Sequence, residues 1–173
     1  GAIEAAAGAL DIHAALLSSS GRIVNGGSGD TRVTAMSGID NSGAIAGNGA
    51  LTLDTTTLRN RAGGQIGAGR ALELRATREL DNAGSISSAG TLRFEQAGAS
   101  FTNRGQIDAG GKASFVAASF NNDGGRISTV KGSGADIDVR VPSMSNVGGA
   151  ILADGEASFD LKGALDNRGG TLQ

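Results

Sequence analysis

The chain has 173 residues, 30 of them glycine and only five aromatic, all Phe, with no Trp, Tyr or Cys and a single Pro. That composition excludes a rounded core anchored by bulky side chains, a disulfide framework and thiolate metal sites, and leaves a thin core of small aliphatic residues. Fifteen basic and 17 acidic residues are interspersed to a net charge of −2, so no basic field exists to hold nucleic acid or an anionic membrane.

The first stretch, AIEAAAGALDIHAALL from Ala2 to Leu17, contains Glu4, Asp11 and His13. It is shorter than a membrane span needs and lacks a basic leader segment. Gly1-Ala2-Ile3 matches Gly43-Ala44-Ile45, and Leu10-x-Ile12 matches Leu51-x-Leu53. The stretch therefore reads as the end of a coil that begins upstream, and the chain as one repeat segment, residues 1–173, of a longer shaft.

From there a repeat with a period of about 21 residues runs through the chain. It starts near Leu17, Ile39, Leu58, Leu80, Phe101, Phe120, Met144 and Leu165. Two residues after each start stand Asn41, Asn60, Asn82, Asn103, Asn122, Asn146 and Asn167, with Ser19 in the first repeat. A Gly or Gly-Gly follows, and then an aliphatic residue at Ile23, Ile45, Ile66, Ile86, Ile107, Ile127, Ile151 and Leu172.

The remaining apolar residues alternate: Leu51-x-Leu53, Leu72-x-Leu74, Leu92-x-Phe94, Ala113-x-Phe115, Ile137-x-Val139-x-Val141 and Phe159-x-Leu161. A spacing of two is that of strands with one face buried. Each repeat thus predicts two or three short strands separated by Gly, Asn, Asp or Ser corners. The fold class is all-β, a parallel β-helix of about eight coils in which equivalent strands stack at about 4.8 Å intervals into a rod of roughly 35–40 Å. Stacked asparagines would exchange amide hydrogen bonds along the axis, and Phe101 would lie on Phe120.

The segments LDNAGSISSAGTL, FTNRGQIDAGG and LDNRGGTL resemble the haemagglutinin repeats of filamentous haemagglutinin and of contact-dependent growth-inhibition exoproteins. The resemblance spans essentially the whole chain and is weakest in Gly1 to Gly38. It implies right-handed coiling, two-partner secretion through an outer-membrane transporter, and a place on the bacterial cell surface. It further implies a shaft that carries an adhesive or toxic tip, with flanking coils of the same chain as its main partners.

No residue set points to catalysis, a cofactor or a metal. His13 is the only histidine and is expected on a solvent-facing strand position. Asp40, Asp81 and Asp166 share a column, but Arg59, Thr102, Asn121 and Ser145 interrupt it, which argues against a calcium ladder and against a polysaccharide-degrading β-helix enzyme. GGSGDTRV, from Gly26, lacks the tandem copy of a calcium-binding nonapeptide, and Gly111-Lys112 is followed by Ala113 where a phosphate loop needs Ser or Thr. The threonine-rich TLDTTTL, from Thr52, has no counterpart in other repeats, as an ice-binding face would require. The alternative to a pure shaft is a segment that itself binds a surface glycan or receptor, through the arginine column Arg61, Arg104 and Arg168 or through Lys131 in an exposed loop reaching Ala135. Pro142 marks the expected break in the regular surface.

Overall fold

Period-two alternation produces strands along the whole chain. The computed structural model describes Gly1–Gln173 as nineteen strands with no helix. The short strands β1 (Ala2–Ala5), β3 (Arg22–Asn25), β5 (Ala44–Gly47), β7 (Gln65–Ala68), β9 (Ser85–Ser88), β11 (Gln106–Ala109), β13 (Arg126–Thr129), β16 (Ala150–Leu152) and β19 (Thr171–Leu172) form one nine-stranded sheet in that order. The other sheet has ten strands. Its main path runs through β2 (Leu10–Ser19), β4 (Thr31–Asn41), β6 (Leu51–Asn60), β8 (Leu72–Asn82), β10 (Leu92–Asn103), β12 (Ala113–Asn121), β14 (Ile137–Val141) and β17 (Ala157–Leu161). β15 (Met144–Ser145) and β18 (Leu165–Asp166) complete it beside β12. Every pairing is parallel and joins consecutive coils, so the molecule is a parallel β-solenoid of about eight turns.

The register follows the repeat. Leu17, Ile39, Leu58, Leu80, Phe101, Phe120, Met144 and Leu165 are successive partners. So are Ile3, Ile23, Ile45, Ile66, Ile86, Ile107, Ile127, Ile151 and Leu172.

One expectation changes. In the coils up to β12 the two apolar runs expected as separate strands are one bent strand, with a register irregularity between Ala35 and Ile39, Thr55 and Thr57, or Gln96 and Ser100. Such a bulge turns the chain from one face of the rod to the next without ending the ladder. Only from Ile137 onward are there three strands per coil, where Pro142, which has no N–H to donate, separates β14 from β15.

The interior is a single apolar cluster in which Ile45, Leu53, Leu58, Leu80, Ile86 and Phe94 are wholly buried. Phe101 stacks on Phe120 with ring centroids 4.6 Å apart and planes at 13°. Phe94 and Phe115 pack edge-on or tilted against them at 5.2–5.7 Å, so the four rings fill two adjacent coils. Burial falls off at the ends, where Ile3 and Leu165 are 47% and 45% exposed. Two threonines interrupt the apolar columns: Thr55 lies between Ala35 and Ala76, and Thr31, between Leu10 and Leu51, is buried with a hydroxyl that has no hydrogen-bond partner.

Candidate functional site

The most organised polar feature is an amide ladder at one corner of the rod. Asn41 Nδ2 donates to Asn60 Oδ1 at 2.9 Å, Asn60 to Asn82 and Asn82 to Asn103 at 2.8 Å. Asn103 donates to Asn122, Asn122 to Asn146 and Asn146 to Asn167 at 2.7 Å. From Asn41 to Asn146 the second N–H of each amide is shared between the corner glycine carbonyl of its own coil and a carbonyl of the next; for Asn103 these are Gly105 O at 3.3 Å and Arg126 O at 3.2 Å. Asn41 to Asn146 are all buried, so the ladder keeps a file of amides satisfied without water.

The glycines make this corner possible. A Cβ at Gly43 or Gly105 would collide with the backbone of the coil beneath. Where two glycines occur, as in Gly124-Gly125 and Gly148-Gly149, the first has a positive φ (66° and 62°) and the second makes the close approach.

The first coil departs from the column. Ser19 sits under Asn41 and makes no amide bond, while Asn25, two strand positions past Ile23, organises the opposite corner. Its Nδ2 donates to Gly8 O at 3.0 Å and Gly29 O at 3.2 Å, and its Oδ1 accepts from Gly27 N at 3.0 Å. GGSGDTRV is therefore a corner wound around Asn25. The same inward column uses Ser88 Oγ, whose single proton can go to either Arg70 O at 2.8 Å or Thr91 O at 2.9 Å, and Thr129 Oγ1, which donates to Ala135 O. Only Asn25-Gly26-Gly27 hinted at this second corner, because its polar residue changes from coil to coil.

The arginine column is on the surface and is paired. Arg61 makes a bidentate contact with Asp40 of the preceding coil, and Arg104 Nη2 lies 2.6 Å from Asp81 Oδ1, again one coil back. Arg168 bonds Asp166 of its own coil at 2.7 and 2.9 Å. Hydrogen bonding from Arg61 and from Arg168 holds the Asp40 and Asp166 carboxyls below the usual carboxylate range. A shallow open depression of about 470 Å³ lies beside the column, lined by Arg59, Asn60, Arg61, Ala62, Asp81 and Ala83. The three aspartates of the interrupted column are thus each paired with an arginine. No group of three or more His, Cys, Asp or Glu side chains gathers into a metal-holding arrangement.

Lys131 opens the exposed loop Lys131–Gly134 and has no ion-pair partner within salt-bridge distance. The loop is held by the next coil: Gly134 N donates to Asp154 Oδ2 at 2.7 Å, and bonds from the Gly132 and Gly134 amides lower the Asp154 pKa. His13 is exposed on β2.

Comparison with known proteins gives one match in kind. A family model described as "Haemagglutinin repeat" fits residues 5–94, 44–112 and 87–169. No curated protein and no solved structure matches the chain. The three overlapping fits take in the amide ladder, the corner glycines and both sheets, and the chain belongs to the haemagglutinin-repeat family.

Proposed function

We propose that this segment is a non-catalytic length of shaft in a secreted bacterial adhesin or growth-inhibition exoprotein, exported through an outer-membrane transporter and holding a binding or toxic tip away from the cell. The observation that carries this reading is the one-way amide ladder from Asn41 to Asn167, which spends its polar groups on joining coil to coil. The surface is occupied in the same way: Arg61, Arg104 and Arg168 each face an aspartate.

Deletion of one coil, Leu80 to Ser100, from the parent exoprotein tests the reading. It brings Phe101 onto Leu58 and Asn103 onto Asn60 and shortens the rod by about 4.8 Å. Secretion is expected to persist, with adhesion or inhibition changed no more than by an equal deletion elsewhere in the shaft. Selective loss of binding by a folded, secreted protein would instead favour the glycan-binding reading. Of the four basic residues named for that reading only Lys131 is unpaired, so Lys131→Glu is its most direct probe.

A further inference from the structure

The main apolar and amide columns of this solenoid do not identify its coils. From Ile23 to Ile151 one buried column is isoleucine in every coil, and the amide column is asparagine from Asn41 to Asn167. If the coil Leu58–Glu79 looped out, Leu80 would stack on Ile39, Asn82 on Asn41 and Ile86 on Ile45. None of those columns would register the error. Two interior features are particular to certain coils: the phenylalanine cluster, which lies between Phe94 and Phe120, and the second-corner column Asn25, Gly47, Ala68, Ser88, Ala109 and Thr129.

The outer columns do carry identity. Six strand register pairs place one ionised residue directly on another: Asp11 on Arg32, Asp40 on Arg59, Arg59 on Asp81, Asp54 on Arg75, Glu73 on Arg93, and Arg140 on Asp160. All six are opposite in sign. Five lie in the half of the rod between Asp11 and Arg93, where the core contains no aromatic ring before Phe94. Looping out Leu58–Glu79 would set Asp40 against Asp81 and Asp54 against Glu95, turning attraction into repulsion in two columns.

We propose that the alternating surface charges are a coil-order code: they select which coil stacks on which while the degenerate apolar and amide columns supply the stability. Exposed pairs are individually weak, yet register choice depends on the difference between two stackings, to which a reversal of sign contributes twice.

The chain has no cysteine, so paired cysteines can report the stacking. Ala44 and Gln65 are register partners on the outside of the nine-stranded sheet, and Ala44→Cys with Gln65→Cys marks the native order. Ala44 and Ser85 are two coils apart, about 9.6 Å, beyond disulfide reach, and become neighbours only when Leu58–Glu79 is skipped. The unfolded protein bearing each cysteine pair is refolded under oxidising conditions and the cross-linked fraction measured.

With native charges the Ala44→Cys/Ser85→Cys cross-link is expected to be rare at low salt and to rise severalfold at about 1 M salt, where screening removes the discrimination. Adding Asp81→Arg and Glu95→Arg, which makes the skipped stacking attractive, is expected to raise it about tenfold at low salt over Asp81→Asn with Glu95→Gln. A skipped fraction that ignores salt in the protein with native charges overturns the proposal, whether or not the reversed variant folds. A reversed variant that folds and skips no more than the neutral one overturns it as well.

Discussion

Asn103 both accepts from Asn82 and donates to Asn122, and it does so wholly buried. Asn103→Ala leaves one donor and one acceptor without a partner inside the rod. The expected loss is about 1–3 kcal/mol in a urea titration, against a negligible change for Lys162→Ala, which removes an exposed, unpaired side chain. Lys112 is no such control, because its ammonium pairs with Asp138, a group only 17% exposed. Asn103→Asp is expected to be worse still, since a carboxylate oxygen then faces Asn122 Oδ1. The same change at half-buried Asn167, whose amide donates only to Gly170 O, is expected to be tolerated better. Equal losses at the two sites would show that the direction of the ladder is unimportant.

Thr31→Val is expected to stabilise the protein by about 1 kcal/mol. The shape is retained and a buried hydroxyl with no partner is removed from a column otherwise apolar on either side. A lowered denaturation midpoint would mean that the hydroxyl is satisfied by water in solution.

Acid is expected to loosen the surface. Asp30 is held below its ordinary pKa by the Ala50 N–H and then Arg70, Asp40 by Arg61, Asp123 by the Ser145 hydroxyl, and Asp166 by Arg168. For a carboxyl whose folded pKa is depressed, the unfolded chain takes up protons first as pH falls. The stability these groups contribute is present above the unfolded value of about 3.9 and is lost below it. Thermal midpoints should therefore be flat from pH 7 to about 5 and drop toward pH 3. Flat midpoints down to pH 3 would mean that the pairs contribute nothing.

Coil deletions are not expected to be interchangeable. Removing Leu80–Ser119 keeps the apolar and amide columns in line but stacks Glu73 on Asp138 and Arg75 on Arg140. Removing Leu80–Ser100 places Glu73 on Ser114 and Arg75 on Val116. The longer deletion should refold less completely at low salt, and added salt should narrow the difference. Identical salt dependence of the two would argue that stacked charges are irrelevant to folding.

The columns were legible in the sequence because a parallel solenoid places like on like: Leu58 above Ile39, Asn60 above Asn41, Ile66 above Ile45. What runs diagonally was not legible. Arg61 and Asp40 occupy different columns in different coils, as do Lys112 and Asp138, so reading down any one column separates partners that the fold joins. The bends inside the long strands were hidden for another reason. The spacer between the two apolar runs varies from coil to coil, Met36-Ser37-Gly38 in one and Thr56-Thr57 in the next, and so leaves no periodic mark. Asn25 escaped because its column changes residue at every step and never returns to asparagine: Gly47, Ala68, Ser88, Ala109 and Thr129 follow it.

The parallel pairing of every strand with its equivalent in the next coil also has a mechanical meaning. Hydrogen bonds between coils point along the rod, so tension on its ends pulls them lengthwise rather than in shear. Within one coil-to-coil junction the bonds share the load, while successive junctions carry the same load in series. The rod is then only as strong as its weakest junction. That junction lies beyond Asn121, where the Lys131–Gly134 loop leaves the ladder and Pro142 breaks the long strand into β14 and the two-residue β15, which pair separately with β17 and β18. Under force the central coils, with their unbroken long strands and phenylalanine cluster, should hold while those after Asn121 part first.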